Sequence, residues 1–272
     1  MQIRRKELCL LALVSTSLAF TGSVASAQTL FGGVNHVDAL PAIEDTLRPG
    51  KLFSIKAVKC DDQTNEWVKL PAWMGGTWHV SEETAVLRRN FKTDETKTEP
   101  HQFKASRTFV YGMQQDKDGG IWHYVGIPYS SKTRLSEFDE HHVVTSKTFD
   151  CSDPSRVSIR SVAAVVRVSH NDRTIIDSFQ QESVTTYTPT DLPGELFLAA
   201  STKTFDATGT PTLQGDNTAS VHRVKPFAPV HTLNGKQLTQ LFRDYLIGHG
   251  LAYLLADSDQ GLATKIRARA LH

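Results

Sequence analysis

Eleven histidines, two acidic pairs and a few cysteines are the residues of this chain with reactive side chains. No two histidines stand at the H-x-H or H-x-x-x-H spacing that brings two ligands to one metal. Asp139-Glu140-His141-His142 reads as a charged, solvated turn. Glu82 and Glu83 are adjacent in a strand-like segment, where successive side chains leave opposite faces, so they cannot share a site. Glu182 with Asp177 is the other acidic pair, and no motif surrounds it. The chain has no G-x-S-x-G, no H-E-x-x-H, no C-x-x-C and no glycine-rich phosphate loop after a strand. Non-covalent binding is better supported than catalysis by these residue types.

For binding, Phe109, Tyr111, Trp122, Tyr124 and Phe179, with Gln181, are the candidate lining of an internal cavity. The aromatics recur at period two within strand-like segments, and the same pattern also describes side chains that simply fill a core. Gln180, Gln181 and Glu182 are polar in mid-strand, where one parity must face inward if the sheet closes. A buried Gln or Glu requires hydrogen-bond partners, which a wet or ligand-filled cavity supplies. An exposed strand needs none, and both readings stand at this level.

Strands must position these residues. Eight segments are predicted: 77–91, 103–113, 121–127, 142–149, 157–168, 174–188, 194–205 and 218–224. Asp- and Gly-bearing turns such as Asp116–Gly120 and Asp206–Gly209 separate them. Short turns between successive strands predict a meander, and closing a long meander into a barrel hides its edges. Pro226 and Pro229 mark an irregular connector. Leu238, Leu241, Phe242, Tyr245 and Leu246 then follow helical spacing from near Lys236, up to Gly248-His249-Gly250. The fold class expected is all-β: an antiparallel up-and-down barrel of about eight strands with a C-terminal amphipathic helix.

At the entry to the first of these strands stands Leu70-Pro71-Ala72-Trp73-Met74-Gly75-Gly76-Thr77-Trp78. Gly76-Thr77-Trp78, eight strands in series and then a helix resemble the calycin superfamily of lipocalin-like barrels over roughly Leu70 to Ala256. The resemblance implies that Trp78 sits at the closed end and packs against a basic residue near the end of the last strand, for which Arg223 is the match. It also implies a single small ligand inside. Some calycin relatives hold haem through one histidine, a role for which His222, His123 or His79 is placed on a strand.

The ends of the chain frame this unit. Arg4, Arg5 and Lys6, the apolar run from Leu8 to Phe20 and Ala25-Ser26-Ala27 have the order of a secretory signal peptide covering 1–27. Residues 28–69 are expected as an extension packing on the barrel, 70–227 as the barrel, 228–256 as connector and helix, and 257–272 as a basic tail. Periplasmic or secreted location follows, with no transmembrane span. Losing Arg4, Arg5, Lys6 and Glu7 with the leader leaves 27 basic and 28 acidic residues of 30 and 29, which gives no electrostatic case for nucleic acid. Cys60 and Cys151 are then the cysteines of an exported chain, and a bridge between them would contribute roughly 3–4 kcal/mol. The function expected is binding of a small apolar or amphipathic molecule. The alternatives are a filled barrel acting through protein contacts, a haem protein, or an enzyme at the barrel mouth.

Overall fold

The computed structural model describes residues 34–54 and 65–256. The signal-peptide segment 1–27, Cys60, the C-terminal half of the Leu52–Val58 segment and the tail 257–272 lie outside them. The described chain is mostly antiparallel strand. Its main sheet contains β2 (Gly76–Asn90), β3 (Glu95–Lys97), β4 (His101–Tyr111), β7 (Tyr129–Arg134), β8 (Phe138–Ser152), β9 (Val157–Ser169), β10 (Ile175–Pro189), β11 (Glu195–Phe205) and β12 (Pro211–Pro226). β7 to β12 form an uninterrupted meander, and β12 then pairs with β2, which carries β3 and β4 on its other side. Last strand thus meets first strand, but no ladder joins the edges β4 and β7 among the described residues, and the sheet does not close into a barrel.

The missing strand is β6 (Ile121–Gly126), which a closed meander would seat beside β4. It pairs instead with β1 (Asn65–Leu70) and β5 (Gln114–Gln115) in a separate three-stranded sheet. Six residue pairs, Asn65↔Gly126 to Leu70↔Ile121, hold it there. The helix α1 (Leu238–Gly248) buries Leu238, Phe242 and Leu246 against Trp67 of β1 and Trp122 and Tyr124 of β6. The helix therefore covers the small sheet, and Gly248 ends it. Among the described residues no helix is long and apolar enough to cross a membrane.

Strand alternation gives the main sheet two faces. The inner, concave face carries a floor of Trp78, Val80, Tyr111, Ile159, Tyr187, Leu198 and Val221. On the outer face Ala164, Val166, Val168 and Val143 pack under Ile43, Leu47 and Phe53 of the N-terminal segment. This explains the nearly continuous β-branched and small composition of β9: both its faces are buried. Residues 34–54 are thus a strap across the outer side of β8 to β11, while 65–69 of the expected extension belong to β1.

Trp78 is fully buried and donates its indole N–H to the Met74 carbonyl at 2.8 Å. The Arg223 guanidinium lies 4.7 Å from the Trp78 ring centroid and donates to the Trp73 carbonyl at 2.5 Å. Gly76 makes this approach possible. It has φ of 140°, and a Cβ there would stand 2.7 Å from the Lys225 carbonyl oxygen. Trp78→Ala is expected to cost about 3–5 kcal/mol in urea unfolding, the range for emptying a buried aromatic site. Arg223→Met, which keeps the aliphatic stem and loses the cation–π contact and the hydrogen bond, is expected to cost about 1 kcal/mol.

Candidate functional site

Above the apolar floor the inner face turns polar. Register places Lys147, Ser161, Ser183, Thr202, Gly215 and Arg88 side by side on β8, β9, β10, β11, β12 and β2. This row has a cation at each end and four small residues between. Small side chains leave space, and a cavity of about 630 Å³ opens over Ser183, Thr202 and Gly215. Arg88, Arg107, His142, Gln181 and Asn217 also line it. Gly215 matters here for close approach: a Cβ would come within 2.6 Å of the Arg88 guanidinium. Arg88 Nη1 donates only to the Leu87 and Asp216 carbonyls, so its charge has no carboxylate partner among the described residues.

Beside this row lies an ion pair whose carboxylate is buried and whose guanidinium is half exposed. Glu83 is 4% exposed, with Arg107 Nη1 2.5 Å from its Oε1 and Asn217 Nδ2 donating to its Oε2 at 2.9 Å. That donation fixes the orientation of the Asn217 amide. Asn217 Oδ1 is then buried with no donor, at the wall of the cavity.

The other end of the row is Lys147. Its Nζ lies 5.9 Å from the ring centroid of Tyr129 and 5.8 Å from that of Phe149. Phe149 packs on His123, and His123 on Tyr111, at 5.7 and 5.4 Å between centroids. The Tyr111 hydroxyl donates to that of Tyr187 at 3.1 Å. Lys147 makes no ion pair with any described residue. Burial without a counter-charge holds its ammonium down to about 8. Burial, reinforced by Lys147, also pushes His123 well below the ordinary histidine value, so the ring is neutral, and its Nδ1 has no partner. Burial raises the phenols of Tyr111, Tyr129 and Tyr187.

The candidate residues read from the sequence are divided between three places. Gln181 lines the cavity, and Phe179 lines the neighbouring recess under the Arg167 guanidinium, 5.2 Å away. Tyr111 is in the floor, with half-buried Phe109 packed against it. Trp122 and Tyr124 do not face the concavity, because β6 has left the main sheet. Trp122 donates to Asp116 Oδ2 at 2.9 Å, Tyr124 donates to Asn65 Oδ1, and both pack on α1. Cys151 is a free thiol whose Sγ lies 2.9 Å from Asp153 Oδ2. Of the histidines considered for haem, His79 and His222 are register partners on β2 and β12, while His123 is buried among aromatic rings. Among the described residues no group of three or more His, Cys, Asp or Glu is placed to hold a metal.

Glu182, flagged in the sequence as a mid-strand carboxylate, is fully buried on the opposite face, under the strap. It accepts from His36 Nδ1 at 2.8 Å, Val37 N at 2.9 Å and Arg160 Nη1 at 2.5 Å. Burial alone would raise its carboxyl, but these three donors outweigh burial and hold it below the usual range. His36 Nε2 lies 2.8 Å from Ser201 Oγ, so Ser201, His36 and Glu182 follow the order of an acyl-transfer triad. The Ser201 proton goes to Asp216 Oδ1 at 2.6 Å, however, and Ser201 is 5% exposed beneath the strap. The constellation is a clasp holding the strap to the sheet.

An unpaired, half-buried ammonium destabilises the fold that holds it. Its proton is bound more tightly in the unfolded chain, so the penalty is full below about pH 8 and fades as pH rises to the ordinary lysine value of 10.5. Lys147→Met is expected to stabilise the protein by about 1–3 kcal/mol at pH 7, with the gain vanishing above about pH 10, measured by chemical unfolding across that range.

No protein-family model, no characterised protein and no solved structure matches the chain, and the reading of this site rests on its own geometry.

Proposed function

We propose that this is an exported binding protein that receives a small amphipathic molecule, with its negatively charged end toward the cationic wall, in the concavity of the main sheet. The observation that carries this reading is the cavity of about 630 Å³ with Arg88, Arg89 and Arg107 outnumbering Glu95 on its wall, on the sheet face that also bears the aromatic and aliphatic cluster. A basic cavity beside an apolar cluster on one sheet face suits a ligand with two unlike ends. Arg88, paired only with carbonyls, is the natural anchor for an anionic group. Asn217 Oδ1 lacks a donor, which a ligand hydroxyl or amide would supply. A meander whose last strand returns to the first, with Arg223 over Trp78 at the seam, supports a distant relation to the calycins. The n-, h- and c-regions of 1–27 support export to the periplasm or beyond.

The test compares an anionic and a neutral probe of similar size. Anilinonaphthalene sulfonate is expected to bind the folded protein saturably, and an uncharged naphthylamine at least about 10-fold more weakly. Arg88→Gln should remove most of that difference, about 1.4 kcal/mol. Ser183→Leu should block both probes by filling the cavity while leaving the thermal melt nearly unchanged. Absence of saturable binding, or equal affinity for both probes, would sink the proposal.

A further inference from the structure

Lys147 has the surroundings of a reactive amine. Other lysines are held by carboxylates: Lys132 Nζ lies 3.2 Å from Asp139, Lys97 3.3 Å from Glu95 and Lys69 3.4 Å from Asp116. Among the described residues no carboxylate pairs with Lys147. Its own strand gives Phe149, β7 gives Tyr129, β9 gives Ser161 opposite in register, and β6 gives the neutral ring of His123 behind Phe149. Two aromatic faces flank the nitrogen, and the side chain keeps partial contact with solvent at the unclosed side of the sheet. The register shift between Val144 and Ser146 turns Lys147 to the inner face beside Ser161.

From this cluster we infer that Lys147 is a site of reversible imine formation with aryl or conjugated aldehydes. The amine lone pair attacks the carbonyl carbon and a C–N bond forms. The oxygen takes a proton, giving a carbinolamine. Loss of that hydroxyl with the remaining nitrogen proton then leaves C=N and one water. Aldehyde and amine go to imine and water with no oxidant or reductant. The flat conjugated product lies between the Tyr129 and Phe149 rings, which favours an aryl aldehyde over an alkyl one. Burial without a counter-charge supplies the free amine: with the ammonium at about 8, about one Lys147 in five is neutral at pH 7.4, against about one in a thousand for an ordinary lysine. This inference does not depend on the anionic-ligand reading, since it concerns the far end of the row and uses a neutral probe.

The folded chain is incubated with 4-methoxybenzaldehyde and sodium cyanoborohydride at pH 7.4, and labelled lysines are mapped by peptide mass spectrometry. Lys147 is expected to be reductively alkylated at least about 10-fold faster than Lys132 or Lys97. The preference should disappear in 8 M urea, a denaturant concentration chosen at roughly the upper practical limit. Butanal, lacking the aromatic ring, should label Lys147 less selectively. Labelling of Lys147 no faster than Lys132 in the folded protein overturns the inference, and so does a preference that survives in urea, which would come from local sequence alone. The readout is made on the wild-type chain, so it does not require that any Lys147 variant fold.

Discussion

The pairing of β6 with β1 is the constraint from which the rest of the architecture follows. Twelve residues facing each other across that ladder take out of the main sheet the strand that would have closed it. Three consequences come at once. The main sheet keeps two edges, β4 and β7. The aromatic residues of β6 are carried away from the concavity and become the surface on which α1 docks. His123, on the other face of that strand, reaches back toward the floor, where it meets Tyr111 and Phe149. The same backbone hydrogen bonds that satisfy β6 therefore decide which rings are structural and which stand near the site.

What stabilises a sheet with open edges is burial of both its faces. The inner floor and the strap-covered outer face each bury an apolar cluster, and neither would be dry without the other elements. The strap is held by polar contacts as well: Glu182 to His36 and Val37, Lys203 Nζ to the Val37 carbonyl at 2.7 Å, and Gln180 Nε2 to the Pro41 carbonyl at 2.8 Å. Buried polar groups with matched partners fix one register of strap on sheet, because any slip strands a carboxylate. On the outer face the buried Ser178 Oγ is without a partner, while the inner face retains Arg88 and Lys147 without carboxylate partners among the described residues and Asn217 Oδ1 without a donor.

Much of this was legible in the sequence, and the failures have identifiable causes. The strands from β8 to β12, β2, β4 and α1 all follow from their periodicity, whereas the pairing of Trp78 with Arg223 came from the calycin resemblance. The strand β1 was missed because Asn65–Leu70 follows a polar run and is only 6 residues long. The strand β7, Tyr129–Arg134, is nearly all polar and exposed, as an edge strand can be. Barrel closure was inferred from strand count, and count cannot say that β6 prefers another partner. Glu182 stood out by type, yet its partners His36 and Val37 lie 146 and 145 residues away, in a segment with no regular pattern. Lys147 was invisible for a sharper reason. Counting alternation from Val144 puts residue 147 on the outer face, and the bulge between Val144 and Ser146 reverses that parity.

The bulge also bears on charge. The chain as a whole carries a formal net charge of +1, which argues for no particular partner. Net charge, however, averages over positions that differ in dielectric. Asp139, Glu95 and Asp94 neutralise cations at the rim, where water screens them anyway. Lys147 is half-buried on the inner face, where fewer water molecules answer its charge and the field is correspondingly stronger. One extra residue in β8 moves an ammonium from the first environment to the second. The electrostatic character of the site is therefore set by strand register, at the level of a single bulge, and not by composition.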